Sequence, residues 1–341
     1  MKIFVGIFLL LVSVKAVALP SYGVGQRTYS FVDHERNRKL STYVWYPTDP
    51  KTKMAPINAG PFLPVIAVKD VQIASALTRF PVVLLSHGSG GKADKLFWIA
   101  DQLVQNGFVV VAVDHPGNML GDNSADGLMR IWERPKDLSF ALDQISKTSE
   151  FATHLDLSKV AAVGHSAGGT TALLLGGARL SANRFTSPIP KCAGAKDPYF
   201  ASICEQLKKL DLKTYRKEVV EGDYSDARVK AIVGYDPGMA ESFQPESLKN
   251  LKTRSYLFLA ENLNSPQEEI YSKKFLEFFP QTAVEVVPKS FHMTFLQACK
   301  PKASQDDPEL KEICLNTNEK LKIQEAVSKK AIVFLKQALS L

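Results

Sequence analysis

One stretch of the chain decides the fold prediction: Val160-Ala161-Ala162-Val163-Gly164-His165-Ser166-Ala167-Gly168-Gly169. Its first four residues are apolar, which is typical of a short strand buried on both faces of a sheet, and residues 170–178 continue in a helical pattern. Between the strand and the helix stands Ser166, with glycine two positions before it and two after it. A turn this tight needs small neighbours and exposes the serine hydroxyl at the helix N-terminus. The stretch therefore predicts a strand–turn–helix unit that presents a nucleophile.

The same alternation of buried strand and helix continues on both sides of Ser166. Further strands are predicted at 81–85, 108–113, 229–233, 255–259 and 284–287, and further helices at 94–105, 134–151 and 319–338. Strands that alternate with helices form a mostly parallel sheet covered on both faces. The sequence therefore predicts an α/β fold with a mostly parallel central sheet and helices on both of its faces.

Two regions depart from this alternation. Near the N-terminus, strand-like stretches at 27–32 and 41–46 predict an antiparallel hairpin, and Pro and Gly then interrupt an irregular stretch at 47–64. Later in the chain, residues 179–228 hold two cysteines and many lysines between a helix and the next strand. We expect this second region to be a cap or lid, inserted over the edge of the sheet where α/β proteins bind their ligands.

The first 18 residues have the three parts of a secretory signal peptide. Met1-Lys2 is a short basic start, residues 3–14 are apolar, and Ala16-Val17-Ala18 is a small-x-small cleavage site. That apolar run is shorter than the ~20 residues that a membrane-spanning helix needs. No later segment is long and apolar enough to be an integral membrane span. We therefore expect residues 1–18 to be removed and residues 19–341 to form one α/β domain, in the periplasm or outside the cell.

Composition and charge indicate which kinds of molecule the protein can bind. The chain is 45% hydrophobic and 23% charged, as in an ordinary globular protein, and has a net charge of +7. Because its basic residues do not form clusters interleaved with aromatic residues, we expect no nucleic-acid partner. Basic residues such as Lys208, Lys209, Lys213, Arg216 and Lys217 favour contact with an anionic membrane surface, or form a solvated helix face. The oligomeric state stays open.

The cysteines predict disulfide bonds. All four, Cys192, Cys204, Cys299 and Cys314, follow the predicted cleavage site, and an even count in an oxidising compartment indicates two bridges. Of the three possible pairings we favour the local one, Cys192–Cys204 and Cys299–Cys314, because it closes two short loops outside the predicted sheet. No cysteine spacing resembles a zinc site, so we expect no metal ion.

A second glycine-rich loop, Ser86-His87-Gly88-Ser89-Gly90-Gly91, follows the strand predicted at 81–85. Small residues there let backbone amides approach a substrate carbonyl. We predict that the backbone N–H groups of Ser89 and Ala167 are the two donors of an oxyanion hole. The candidate substrate-binding residues in this loop and the serine turn are His87, Gly88 and His165.

A serine nucleophile needs a base, and the base needs a carboxylate that orients it. His292, in Ser290-Phe291-His292-Met293, comes just after the last predicted strand. That is the place of the base where the chain order is serine, acid, histidine. The sequence therefore predicts His292 as the general base for Ser166.

The acid must lie between Ser166 and His292, at the end of a strand. Asp236 follows the first strand after the serine turn, and Glu261 follows the next. Glu261 lies close to its strand end, where its side chain can turn away from the site. We favour Asp236 and keep Glu261 as the alternative acid.

On these motifs the chain resembles the α/β-hydrolase superfamily, and within it the predicted dienelactone hydrolases and the platelet-activating-factor acetylhydrolase group. The stretches that carry the resemblance are 43–47, 80–91, 113–117, 164–169 and 290–292. In the acetylhydrolase group the acid follows the first strand after the nucleophile in an Asp-x-x-Met setting, which Asp236-Pro237-Gly238-Met239 matches. Dienelactone hydrolases proper use a cysteine nucleophile, and Ser166 departs from that pattern.

The resemblance and the candidate residues together imply a serine esterase that forms an acyl-enzyme and needs no cofactor. The substrates implied are short-chain acyl esters or short-acyl phospholipids. Polyester hydrolysis of the cutinase kind and thioester hydrolysis stay open as alternatives. A binding protein on the same fold without catalysis is an alternative of another class, but such proteins typically lose the nucleophile or the base.

Overall fold

The computed structural model describes residues 22–75, 79–185, 205, 208–211, 214–261, 272–280, 283–307 and 310–341. The strands are β1 (Gly23–Asp33), β2 (Arg38–Thr48), β3 (Ala55–Ala59), β4 (Phe62–Lys69), β5 (Phe80–Ser86), β6 (Val109–Asp114), β7 (Asn118–Met119), β8 (Asp122–Asn123), β9 (Leu155–His165), β10 (Val229–Tyr235), β11 (Arg254–Ala260) and β12 (Val284–Val287). The helices are α1 (Phe97–Gln105), α2 (Ala125–Met129), α3 (Glu133–Ile145), α4 (Ala167–Leu175), α5 (Ala182–Phe185), α6 (Lys217–Val220), α7 (Pro245–Lys249), α8 (Ala303–Asp306) and α9 (Thr317–Ala338). Short 3₁₀ turns cover Ala93–Leu96, Ala240–Ser242, Lys274–Glu277 and His292–Phe295.

Ten of the described strands form one sheet in the order β12-β11-β10-β9-β5-β6-β2-β1-β4-β3. The six strands from β12 to β6 in this order are parallel to one another, and β2 joins antiparallel to β6. The β1–β2 pair is the antiparallel hairpin that the sequence predicts. The mostly parallel α/β fold is therefore confirmed.

Two hydrophobic cores lie on opposite faces of this sheet. Strand β5 shows the division, since Val82 and Leu84 belong to one core and Val83 and Leu85 to the other, as the two-residue period of a strand requires. The first core includes apolar residues of α3 and α4, and the second includes those of α1 and α9. Helices thus cover both faces, and this is why the strands in the middle are apolar throughout.

The stretch at 47–64, predicted to be irregular, is in part a second hairpin, so that prediction is wrong. Strands β3 and β4 pair antiparallel, and β4 extends the sheet beside β1. Pro56 obscured the strand signal, but it lies on β3, the last strand of the sheet, where a residue without an N–H is tolerated.

The helix predicted at 134–151 is also shorter than expected, since α3 ends at Ile145. The Thr148 hydroxyl donates to the Ile145 carbonyl at 2.8 Å. This local bond competes with continuation of the helix, and the turn that follows places Phe151 in the first core.

The Cys299–Cys314 disulfide is present, as predicted. The predicted signal peptide, the Cys192–Cys204 pair and part of the predicted cap at 179–228 lie outside the described residues. In the part of the chain that is described, no helix combines the length and the apolar character needed to cross a bilayer.

Candidate active site

Ser166 lies at the point where β9 ends and α4 begins. Its backbone has φ +55° and ψ −124°, a conformation that a residue with a side chain adopts only when its surroundings enforce it. Here the Ser166 N–H donates to the Tyr235 carbonyl at 3.0 Å, and its own carbonyl accepts from the Gly238 N–H at 3.0 Å. The strand β10 and the turn after it therefore hold the serine in the strained geometry of a nucleophile elbow.

The glycines beside Ser166 are there because backbones approach closely. A Cβ on Gly168 would lie 1.9 Å from the Ser86 carbonyl oxygen, and one on Gly164 would lie 2.2 Å from the Gly168 oxygen. No side chain fits at either position. In the neighbouring loop, a Cβ on Gly88 would lie 3.2 Å from the Ser166 Cβ. The glycine-rich loop after β5 thus passes directly beside the serine.

His292 and Asp236 meet although 56 residues separate them. The Asp236 Oδ2 lies 2.6 Å from the His292 Nδ1, and the Asp236 Oδ1 accepts from the Ala260 N–H at 2.9 Å. Because an ionised carboxylate only accepts hydrogen bonds, Nδ1 carries the imidazole proton and Nε2 carries the lone pair. The pair therefore presents a histidine whose Nε2 can take a proton.

Burial differs between the two partners. The Asp236 side chain is 3% exposed, whereas the His292 side chain is 21% exposed. Asp236 also has a positive φ of +44°, which an aspartate tolerates better than most residues. The carboxylate is thus fixed in the interior, and the imidazole that it orients reaches the surface.

Glu261, the alternative acid, has another partner. Its Oε2 accepts from the Lys289 N–H at 2.8 Å, and its backbone N–H donates to the Ser290 hydroxyl at 3.2 Å. Glu261 thereby joins the ends of β11 and β12. The structure brings Asp236, and not Glu261, to His292.

The loop that carries Ser89 is braced by its neighbours. The Gly90 N–H donates to the Asn118 side-chain oxygen at 3.0 Å, and the Gly91 N–H donates to the Gly88 carbonyl at 3.1 Å. Ala167 is the first residue of α4 and is buried. A backbone N–H in the first turn of a helix has no partner within the helix, so that of Ala167 can serve a ligand.

His87 does not fit the substrate-binding role predicted for it. Its side chain is buried; Nδ1 donates to the Gly88 carbonyl at 2.7 Å, and Nε2 accepts from the His115 N–H at 3.1 Å. Burial and the nearby Arg134 cation hold the pKa of His87 well below its usual range, so both ring nitrogens serve the loop itself. His87 shapes the loop, and Gly88 is the residue that approaches Ser166.

His165 is buried beside His292. Its Nε2 donates to the His292 carbonyl oxygen at 3.0 Å, and the two imidazole rings lie 4.6 Å apart between centroids. Burial and the neighbouring His292 lower the pKa of His165 well below its usual range. We therefore interpret His165 as a neutral residue that supports the His292 segment, not as a direct ligand of substrate.

Sequence reasoning missed a buried polar network behind the site. Arg134, Asp137 and His115 are all almost completely buried, and His115 Nδ1 lies 3.0 Å from Asp137 Oδ2. One feature of the sequence could have indicated this network. Arg134 falls on the same helical face as the apolar Leu138 and Ala141, where a charged residue is uncommon.

Comparison with known proteins shows to which family the chain belongs. Residues 82–303, more than half of the chain, match the family described as the alpha/beta hydrolase family. The chain therefore belongs to the alpha/beta hydrolase family. No curated protein matches it.

Among solved structures, the chain is similar to a ferulic acid esterase from Streptomyces cinnamoneus. The TM-score is 0.62 with 20% sequence identity, over 95% of this chain and 93% of that one. At this level of identity the likeness is one of fold, and it extends over almost the whole length of both proteins.

Proposed function

We propose that this chain is a serine carboxylic ester hydrolase with Ser166 as nucleophile, His292 as base and Asp236 as the orienting acid. The observation that carries the proposal is the 2.6 Å contact between His292 and the buried Asp236. This contact lies near the serine in the strained strand-to-helix turn, since the imidazole of His165, the residue before Ser166, lies 4.6 Å from that of His292 between ring centroids. Membership of the alpha/beta hydrolase family supports the same reaction type.

The proposed reaction proceeds in two steps through an acyl-enzyme. His292 Nε2 takes the proton of the Ser166 hydroxyl as its oxygen attacks the ester carbonyl, and the backbone N–H groups of Ser89 and Ala167 stabilise the oxyanion. The tetrahedral intermediate collapses, and the alcohol leaves with the proton from His292. Water, deprotonated by His292, then attacks the acyl-enzyme and releases the carboxylic acid. Asp236 stabilises the imidazolium that forms in each step.

We further propose short-chain acyl esters or short-acyl phospholipids as substrates. The support is the resemblance of Asp236-Pro237-Gly238-Met239 to the acid motif of the platelet-activating-factor acetylhydrolase group. The similarly folded protein from Streptomyces cinnamoneus is named an esterase, which agrees with an ester as the substrate. Polyesters and thioesters are alternatives within the same chemistry, and a binding protein without catalysis is the alternative of another class.

The location of the protein is part of this proposal. Residues 1–18 have the pattern of a secretory signal peptide, and the Cys299–Cys314 disulfide suits an oxidising compartment. We propose a secreted or periplasmic enzyme whose residues 179–228 act as a cap. N-terminal sequencing of the exported protein tests the cleavage site, for which we expect a mature chain that begins near Leu19.

Replacement of Ser166 tests the reaction. We expect purified protein to hydrolyse p-nitrophenyl acetate and butyrate faster than the decanoate, and Ser166→Ala to retain less than about a thousandth of that activity, because the acyl-enzyme cannot form. Ser158→Ala is the matched control, since Ser158 is an exposed serine on the same strand, and it should keep full activity. An active Ser166→Ala enzyme would reject the mechanism. A wild-type protein that hydrolyses none of these esters would favour the binding-protein alternative.

A further inference from the structure

A buried arginine lies between the loop that carries Ser89 and the helix α4 that begins with Ala167, and these two residues are the candidate oxyanion donors. Arg134, in the first turn of α3, is 1% exposed. Its guanidinium contacts the loop after β5 on one side and α4 on the other. A buried arginine is stable only when hydrogen bonds replace the water it has lost, so the geometry of these bonds shows what the cation holds together.

The first set of bonds reaches the loop that contains Ser89. Arg134 Nη2 donates to the His87 carbonyl oxygen, and it also donates to the Ser86 hydroxyl at 3.2 Å. His87 and Ser86 lie at the end of β5, just before Gly88 and Ser89. The guanidinium therefore fixes the loop at its origin.

The second bond reaches the helix that begins with Ala167. Arg134 Nε donates to the Thr171 hydroxyl at 3.1 Å, and that hydroxyl donates in turn to the Ala167 carbonyl oxygen at 2.8 Å. Thr171 is completely buried, so water does not compete for these bonds. One arginine is thus connected to the loop of Ser89 through a backbone carbonyl, and to the helix of Ala167 through a single hydroxyl.

The arginine is itself held by a buried chain of hydrogen bonds. The Ser86 hydroxyl lies 3.0 Å from His115 Nε2, and His115 Nδ1 lies 3.0 Å from the Asp137 carboxylate. Arg38 binds the same carboxylate at 2.6 Å. Burial and the Arg134 cation keep the pKa of His115 well below its usual range, so His115 is a neutral link. Ser86 is completely buried and cannot reach a substrate. This chain of hydrogen bonds therefore positions the Arg134 guanidinium and takes no part in the reaction itself.

We propose that Arg134, acting through Thr171 and the His87 carbonyl, is a positioning residue that sets the separation of the Ser89 and Ala167 N–H groups. An oxyanion hole works only when its donors are held within about half an ångström of the productive geometry. The proposal rests on the proposed function, because it concerns the transition state of that reaction. It predicts that damage to this connection weakens transition-state binding and leaves substrate binding intact.

Thr171→Val tests the connection with the smallest change. It removes the hydroxyl between Arg134 and Ala167, and we expect kcat for p-nitrophenyl acetate to fall about 10-fold with KM within two-fold, since complete loss of an oxyanion donor costs about 100- to 1000-fold. Inhibition by a simple alkylboronic acid, a mimic of the tetrahedral intermediate, should weaken by the same factor. Thr171→Ser keeps the hydroxyl and should restore both values.

Thr253→Val is the matched control, because the Thr253 hydroxyl donates to the carbonyl of Gly176 at the opposite end of the same helix, at 2.7 Å. It should leave kcat, KM and boronate inhibition within two-fold of wild type. Arg134→Lys is the direct variant, and we expect a loss of about 100-fold in kcat, since a lysine cannot span both partners. If that variant does not fold, the kinetics of Thr171→Val and Thr171→Ser alone test the proposal.

Unchanged kcat and boronate inhibition in Thr171→Val would overturn the proposal, as would an equal loss in Thr253→Val. Both results are obtained with an active wild-type enzyme, so they leave the proposed function standing. A wild-type protein that neither hydrolyses the ester nor binds the boronic acid would reject the proposed function and this proposal with it.

Discussion

At the scale of single residues, Asp236 holds His292 in one direction because its carboxylate is itself fixed by a second hydrogen bond. Its two carboxylate oxygens are used separately, one for the Ala260 N–H and one for His292. The first bond fixes the carboxylate to the neighbouring strand β11, so the second has a defined direction. The Glu261 carboxylate instead accepts from the Lys289 N–H, so it holds the ends of β11 and β12 together and does not orient His292.

We therefore expect Asp236→Asn to lower kcat by about 10⁴-fold, because an amide neither selects the reactive tautomer of His292 nor stabilises its protonated form. Glu261→Gln should change kcat less than three-fold. Steady-state kinetics on p-nitrophenyl butyrate measures both, with circular dichroism to check that each variant is folded. Loss of turnover in Glu261→Gln alone would assign the acid to Glu261.

At the scale of elements, the segment that carries His292 is held from two sides. Trp98 on α1 donates through Nε1 to the Phe295 carbonyl at 2.9 Å, and Gln324 on α9 donates to the Thr294 carbonyl at 2.8 Å. Beyond this segment, the backbone of Cys299 pairs with that of Phe62, at the start of β4, in an isolated antiparallel β-bridge. His292, the proposed base, is therefore placed by two helices that pack in the same core, and the disulfide closes the loop that follows.

Removal of this disulfide should affect stability more than catalysis. The Cys299–Cys314 loop spans 15 residues, and a cross-link of that length stabilises a protein by about 3 kcal/mol, chiefly by restricting the unfolded chain. We expect Cys299→Ala/Cys314→Ala to lower the free energy of unfolding by about that amount, measured by urea denaturation. Its kcat at a temperature well below Tm should stay within three-fold. Equal stability of the variant and the wild type would contradict the prediction.

At the scale of the whole molecule, we expect one buried lysine to make the free energy of unfolding depend on pH. Lys320 on α9 is 1% exposed, and its Nζ donates to the Ile313 carbonyl at 2.9 Å. Burial lowers the pKa of Lys320 from 10.5 to about 7. Between these two values the unfolded chain holds a proton that the folded protein has lost, so this group makes the free energy of unfolding rise with pH. Below pH 7 both states are protonated, and the folded state carries the penalty of a buried charge.

Lys320→Met should remove this dependence. We expect its free energy of unfolding to exceed that of wild type most at pH 6, and the difference to shrink as pH rises from about 7 towards 10. Urea denaturation at pH 6, 8 and 10 measures this. Lys322→Met is the control, since the Lys322 side chain is 77% exposed, and it should follow wild type at every pH. Parallel curves for the two variants would show that Lys320 is not the origin of the dependence.

The sequence alone was enough to predict the alternation of strands and helices, the serine turn and the Cys299–Cys314 bridge. These features depend on short-range patterns: apolar runs bounded by turns, glycines two residues from a serine, and two cysteines 15 residues apart. The prediction for 47–64 was wrong because β4, which begins in that region, pairs with β1, which is distant in the chain. The prediction for the end of α3 was wrong because the hydroxyl of Thr148 binds the Ile145 carbonyl and competes with continuation of the helix.

Only the tertiary structure decided which carboxylate meets His292, that His87 is buried, and that Arg134 connects the loop after β5 with α4. Asp236 lies 56 residues from His292 and Arg134 lies 47 from His87, so no local pattern connects them. The physical reason is that the direction of a side chain at the end of a strand depends on the backbone groups of the adjacent strand. For Asp236 that group is the Ala260 N–H, which reaches it only when the sheet has assembled.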